Sequence, residues 1–216
     1  MSLIPPSLLR RFSVNSMKIF IATKNKDKIK EISRILIPHN IEVITEADIK
    51  KPLSDVEETG TTFAENAFLK AQNGCKETGL ITIADDSGIC IDAFDGAPGV
   101  YSARFLPGLS YPEKNEEIMK RLQNADTRKA HYTCAICVVA PNGETFTVQG
   151  ELHGEIAHSQ RGSNGFGYDP IFKVGDKTVA EMDPEDKDKI SHRGKALQLF
   201  EQRLPAFLKE INNADK

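Results

Sequence analysis

Residues 17–36 read MKIFIATKNKDKIKEISRIL, and inside this stretch the hydrophobic period changes from that of a strand to that of a helix. MKIFIAT (17–23) is a short apolar run of strand length, of the kind buried on both faces of a sheet. From Asn25 onward Ile29, Ile32, Ile35 and Leu36 recur every three or four residues, so an amphipathic helix follows and stops before Pro38. IEVIT (41–45) then reads as a second strand. A strand–helix–strand unit builds a sheet with helices packed on it.

The rest of the chain extends that plan. Thr62-x-x-Glu65 is a capping box opening a second helix, and Gly79 stands where its C′ residue belongs. ITIA (81–84) and ICIDA (89–93) read as strands on either side of Asp85-Asp86-Ser87-Gly88, which taken locally suits an Asx-type turn. Ser110-x-x-Glu113, with Pro112 early in the helix, opens a segment ending near Gln123. Residues 130–140 form a long strand, Asn142-Gly143 a hairpin turn, and ETFTVQGEL (144–152) the antiparallel return. A last helix, from about Arg193 to Ile211, is expected to be bent or split at Pro205. The fold class is therefore α/β, a mixed central sheet flanked by helices.

Composition excludes several classes. A chain of 216 residues with 39% hydrophobic and 27% charged content is an ordinary globular protein. At this length it buries roughly 70% of its unfolded surface and needs no disulfide or metal staple. A net charge of -3 argues against a general nucleic-acid coat. The longest apolar run, Cys134 to Ala140, is too short for a bilayer, which takes about 20 helical residues. Cys134-x-x-Cys137 lies in a strand, where residues three apart point to opposite faces, so a zinc or redox pair is not expected. Four cysteines without a disulfide framework suit a reducing cytoplasm. Residues 1–16 are expected to be a dispensable extension, and residues 17–216 a single domain.

Five places could carry chemistry. Thr23, Lys24, Asn25, Lys26, Asp27 and Lys28 sit at the first strand-to-helix junction, where ligands of open α/β sheets collect and a helix N-terminus offers N–H groups to an anion. The G-x-x-x-x-G-K-[ST] and strand-linked G-x-G-x-x-G fingerprints are absent. Asp85 and Asp86 would repel in a cleft unless a cation or proton holds them, and they should point in different directions, one to metal and one to water. Asn66 and Lys70, four apart, share a helix face. GFGYDP (165–170) lets backbone approach a flat ligand, with Phe166 or Tyr168 able to stack on it. Lys187, Ser191, His192 and Arg193 precede the last helix.

The stretches ATKNKDK (22–28), EETGTTFAENAFLKA (57–71), ADDSG (84–88), GAPGVYSARF (96–105), NGFGYDPIF (164–172) and ISHRGKAL (190–197) together resemble, in order, the inosine-triphosphate pyrophosphatase family. The resemblance implies two lobes with the active site in the cleft between them. It implies Mg²⁺-dependent hydrolysis of ITP, dITP and XTP to the monophosphate and pyrophosphate, by a cytoplasmic homodimer with no nucleic-acid or membrane partner. Thr23 to Lys28 and Lys70 would face the triphosphate. Asp86 would be proton acceptor and magnesium ligand, with Glu57 or Glu58 as second carboxylate and Asp85 and Asn66 in support. Ser87 would touch the nucleotide, Phe166, Gly167, Tyr168 and Asp169 would form the base and sugar pocket, and Lys187, His192 and Arg193 would close over the base. Lys24 stands where the family often has a small residue, and Lys187 is chosen over Lys189 for its spacing from His192.

Overall fold

The computed structural model describes residues 16–214, and of Asp27, Glu31, Asn213 and Ala214 the backbone alone. The expectation for the N-terminal extension falls on residues outside this range. The chain order is β1 (Met17–Ile21), α1 (Lys26–Leu36), β2 (Ile41–Ile44), α2 (Phe63–Thr78), β3 (Ile81–Ile91), α3 (Tyr111–Arg121), β4 (Lys129–Val139), β5 (Thr145–Ile156), β6 (Phe172–Val174), β7 (Lys177–Thr178), α4 (Pro184–Ile190) and α5 (His192–Ala214). One seven-stranded sheet runs β2-β1-β3-β4-β5-β6-β7. β1 is parallel to both β2 and β3, and every later pair is antiparallel. The sheet is mixed and flanked by helices, as the sequence pattern requires.

Period and position explain the packing. The apolar stripes of α1 and α5 close over Ile19, Ile21, Ile83, Ile136 and Val138 on one face. On the other face α2 lays Phe63, Ala67, Ala71 and Cys75 against Ala84, Ala135, Cys137 and Val139. Cys134 belongs to the first cluster and Cys137 to the second, so the two thiols lie on opposite faces as their spacing demands. A third cluster at the far end of β3 and β4 joins Ile89, Ile91, Tyr132 and Leu152 to Ile118 of α3 and to Tyr168, Ile171 and Phe172. Both capping boxes form, and Gly79 ends α2 in the left-handed conformation.

Two local expectations are corrected. Asp85–Gly88 is not a turn: β3 is continuous from Ile81 to Ile91, because β4 pairs with it from Thr82↔Val139 to Ile91↔Ala130. A ladder of that length satisfies the backbone of the polar tetrapeptide better than a local turn can. The last helix is neither split nor ended at Pro205, since α5 runs unbroken through it. The short helix α4 and the β6–β7 hairpin were not foreseen; each is too brief to show a period. No helix among the described residues is long and apolar enough to cross a membrane.

One close approach fixes where α5 starts. A Cβ added at Gly150 of β5 would fall on the His192 carbonyl oxygen and 2.5 Å from the Ala196 nitrogen. Only glycine lets the two backbones meet there. Gly150→Ala should therefore cost about 2 kcal/mol of overpacking, roughly a 6 °C fall in melting temperature for a chain of this size, read by thermal denaturation.

Candidate active site

The end of β1 and the first turn of α1 form one wall. Thr23 Oγ1 accepts the Asn25 N–H at 3.2 Å, and Asn25 Oδ1 accepts the Lys28 N–H at 3.3 Å. This local capping turns α1 so that Lys28, in its first turn, reaches Asp85 Oδ2 at 2.7 Å. Arg193, at the start of α5, approaches the same oxygen at 3.9 Å and donates to Ser87 Oγ at 3.3 Å. Burial alone would raise the Asp85 carboxyl, but Lys28 and Arg193 outweigh it and hold the group below the usual carboxylate range.

Asp86 points to the opposite face, as alternation along β3 demands. It meets α2, where Lys70 Nζ lies 3.1 Å from its Oδ1 and Asn66 Nδ2 donates to its Oδ2 at 3.3 Å. Lys70 also holds Glu58 Oε1 at 2.8 Å, so two carboxylates converge on one ammonium. Asn66 Oδ1 accepts the Gly60 N–H at 2.8 Å and thereby ties the acidic loop to Asp86. Burial pushes the Asp86 carboxyl above its ordinary value against the pull of Lys70, with Glu58 adding to the rise. Burial works against the Lys70 ammonium, yet Asp86 and Glu58 overcome it and keep it firmly charged.

Two cavities, of about 380 and 350 Å³, share Lys28 as a lining residue. The second is lined by Thr23, Lys24, Lys28, Glu58, Lys70 and Asp85 among others. The first is walled by Ser87, Phe166, Gly167, Lys187, His192 and Arg193. In it the Phe166 ring is 53% exposed, with Lys187 Nζ 5.1 Å from its centre. His192 stacks on Tyr132 at 4.7 Å, and burial together with the Arg193 and Lys187 charges lowers its pKa to about 3. Its imidazole is therefore neutral at pH 7. Asp169, buried, accepts the Phe166 N–H at 2.9 Å and the Lys187 ammonium at 2.7 Å, so it shapes the loop. Lys189 instead pairs with Asp186 on the surface, which leaves Lys187 as the lysine of the cavity.

Not every expected residue converges. Glu57 and Lys26 are exposed and line neither cavity, whereas Glu58 does. Lys24 stays on the rim, near Glu46 and Asp55, and the side chain of Asp27 lies outside the described residues. Tyr168 lines the first cavity but is no stacking platform there: its side chain is core, the hydroxyl donating to the Ser102 carbonyl at 2.7 Å and the ring edge-on to Tyr111. Sequence reasoning missed Arg104, which donates to the Glu58 carbonyl at 3.3 Å, and Ser102, which accepts the Ile89 N–H at 2.9 Å. Both lie in GAPGVYSARF, a stretch quoted above without a role for any of its side chains.

With this geometry in hand, comparison with known proteins is specific. The model of the Ham1 family matches residues 19–203. A dITP/XTP pyrophosphatase of Exiguobacterium sp. is 44% identical over 89% of this chain and 100% of its own, and one of Listeria monocytogenes is 44% identical over 90% and 98%. Among solved structures, a HAM1 protein from Coxiella burnetii superposes with a TM-score of 0.83 at 38% identity, covering 88% of this chain and 99% of that one. The Staphylococcus aureus Ham1 protein gives 0.82 at 41%, covering 88% and 98%. Agreement of this extent, from the first strand into the last helix, places the chain in the Ham1 family.

Proposed function

We propose that the chain hydrolyses ITP, dITP and XTP to the monophosphate and pyrophosphate, removing non-standard purine nucleotides from the pool. The observation that carries this reading is the shared residue Lys28, which joins the cavity beside Phe166 to a second one lined by Lys70 and Glu58, the two residues clustered with Asp86. A nucleoside triphosphate laid along that path places its base by Phe166 and its phosphates by Lys28 and Lys70. The names of the relatives agree with it.

The donors around the base select it. Lys187 and Arg193 present only N–H groups, and the neighbouring acceptor Asp169 is already taken by Lys187. A 6-oxo purine answers such donors, while a 6-amino group opposes them. An unmet buried donor costs about 1–3 kcal/mol, or roughly 5- to 150-fold in selectivity.

The donor set at the other end suits a hard divalent cation. Asp86 and Glu58 offer carboxylate oxygens within one cluster, and no group of three or more His, Cys, Asp or Glu side chains among the described residues could cage an ion alone. Such a pair fits Mg²⁺, whose shell is usually completed by water and substrate phosphates. When bound, that ion supplies Lewis-acid polarisation of the phosphoryl oxygens. Asp86 takes the proton from the water that attacks the α-phosphorus. Lys28 and Lys70 balance the charge of the departing pyrophosphate. The protein is read as a cytoplasmic homodimer acting on free nucleotides.

Product analysis with Mg²⁺ tests the reading. ITP, dITP or XTP should yield pyrophosphate as first product, with ATP turning over at least tenfold more slowly; orthophosphate as first product would refute it.

A further inference from the structure

The base loop is held from below by a side chain outside all six stretches quoted above. Asn115 of α3 is 1% exposed, and its Nδ2 donates to the Gly167 carbonyl at 3.1 Å and to Gln160 Oε1 at 3.3 Å. Gln160 in turn donates to the Pro112 carbonyl at 3.2 Å, at the start of the same helix. The amide thus spends both its hydrogens on two acceptors, and its orientation is set.

Gly167 is the position where that matters. Its φ is +67° and it carries no side chain, so its ψ is free to turn the 167–168 peptide, a rotation shared with the φ of Tyr168. The rest of the loop is anchored elsewhere: Asn164 to the Ala180 and Met182 carbonyls, Phe166 N–H to Asp169. Among the described residues the Gly167 carbonyl is held by Asn115 alone, and the Tyr168 N–H has no acceptor. In a planar trans peptide the two point in opposite directions. Both residues line the base cavity, and Asn115 does not.

Resting on the functional reading above, we propose that Asn115 is a positioning residue for base selection: by holding the Gly167 carbonyl against α3 it keeps the Tyr168 N–H, rather than a carbonyl, toward the base edge. Rotation of this one peptide would exchange a donor for an acceptor and favour a 6-amino purine over a 6-oxo one. Asn115→Asp sets a carboxylate against the carbonyl and drives that rotation, while Asn115→Ala merely permits it.

The test compares kcat and KM on ITP and ATP for wild type, N115A, N115D and Q160A, with melting temperatures. The ITP-to-ATP ratio of kcat/KM is expected to fall at least tenfold in N115D and by less in N115A, mainly through KM, and to stay within about twofold in Q160A. If N115D does not fold, N115S, which keeps a hydroxyl donor, should retain more of the ratio than N115A. An unchanged ratio in N115A, or equal losses on both substrates, would overturn the inference while leaving the functional reading intact. A wild-type protein with no preference for ITP would overturn both.

Discussion

Asp86→Asn is expected to lower kcat for pyrophosphate release at least a hundredfold while leaving the fold in place. Removing a general base typically costs 10²- to 10⁴-fold, and the amide cannot take up the proton of the attacking water. The substitution keeps the shape of the side chain, and Lys70 retains Glu58 at 2.8 Å, so no cation is stranded. Melting temperature should therefore stay within a few degrees of wild type. Turnover within tenfold of wild type in a folded D86N protein would strip Asp86 of its role.

The neighbouring carboxylate is expected to behave in the opposite way. Asp85 is 3% exposed and faces Lys28 at 2.7 Å and Arg193 at 3.9 Å, both of them largely buried themselves. Asp85→Asn takes from the Lys28 ammonium the carboxylate it holds at 2.7 Å. Breaking a buried pair by removing one partner costs about 3–5 kcal/mol, which for a chain of this size lowers the melting temperature by roughly 10 °C. Stability of D85N close to that of wild type would mean that the cluster contributes little to the fold. Adjacent residues of one strand thus divide the work, one expected to fail in chemistry and the other in folding.

This contrast was partly legible in the chain. Alternation along a strand sends Asp85 and Asp86 to opposite faces whatever surrounds them. It does not say which meets α2 and which meets α1 and α5; that depends on the face each helix covers. The same limit applies to Glu57 and Glu58, neighbours of identical chemistry of which only Glu58 reaches Lys70. It applies to Phe166 and Tyr168 as well. Both are aromatic and two apart, yet Tyr168 is drawn into the core by the Ser102 carbonyl and Tyr111.

Helix ends, the hairpin, the opposed cysteines and the mixed sheet follow from patterns spanning a few residues, because capping bonds and periodicities of two and 3.6 are local. The continuity of β3 through two acids, the choice among like neighbours and the grip of Asn115 on Gly167 arise from partners far away in the chain: β4 for the strand, α2 for Asp86, α3 for the base loop. Such partners act only once packing has brought them within hydrogen-bond reach, and no short-range pattern records them.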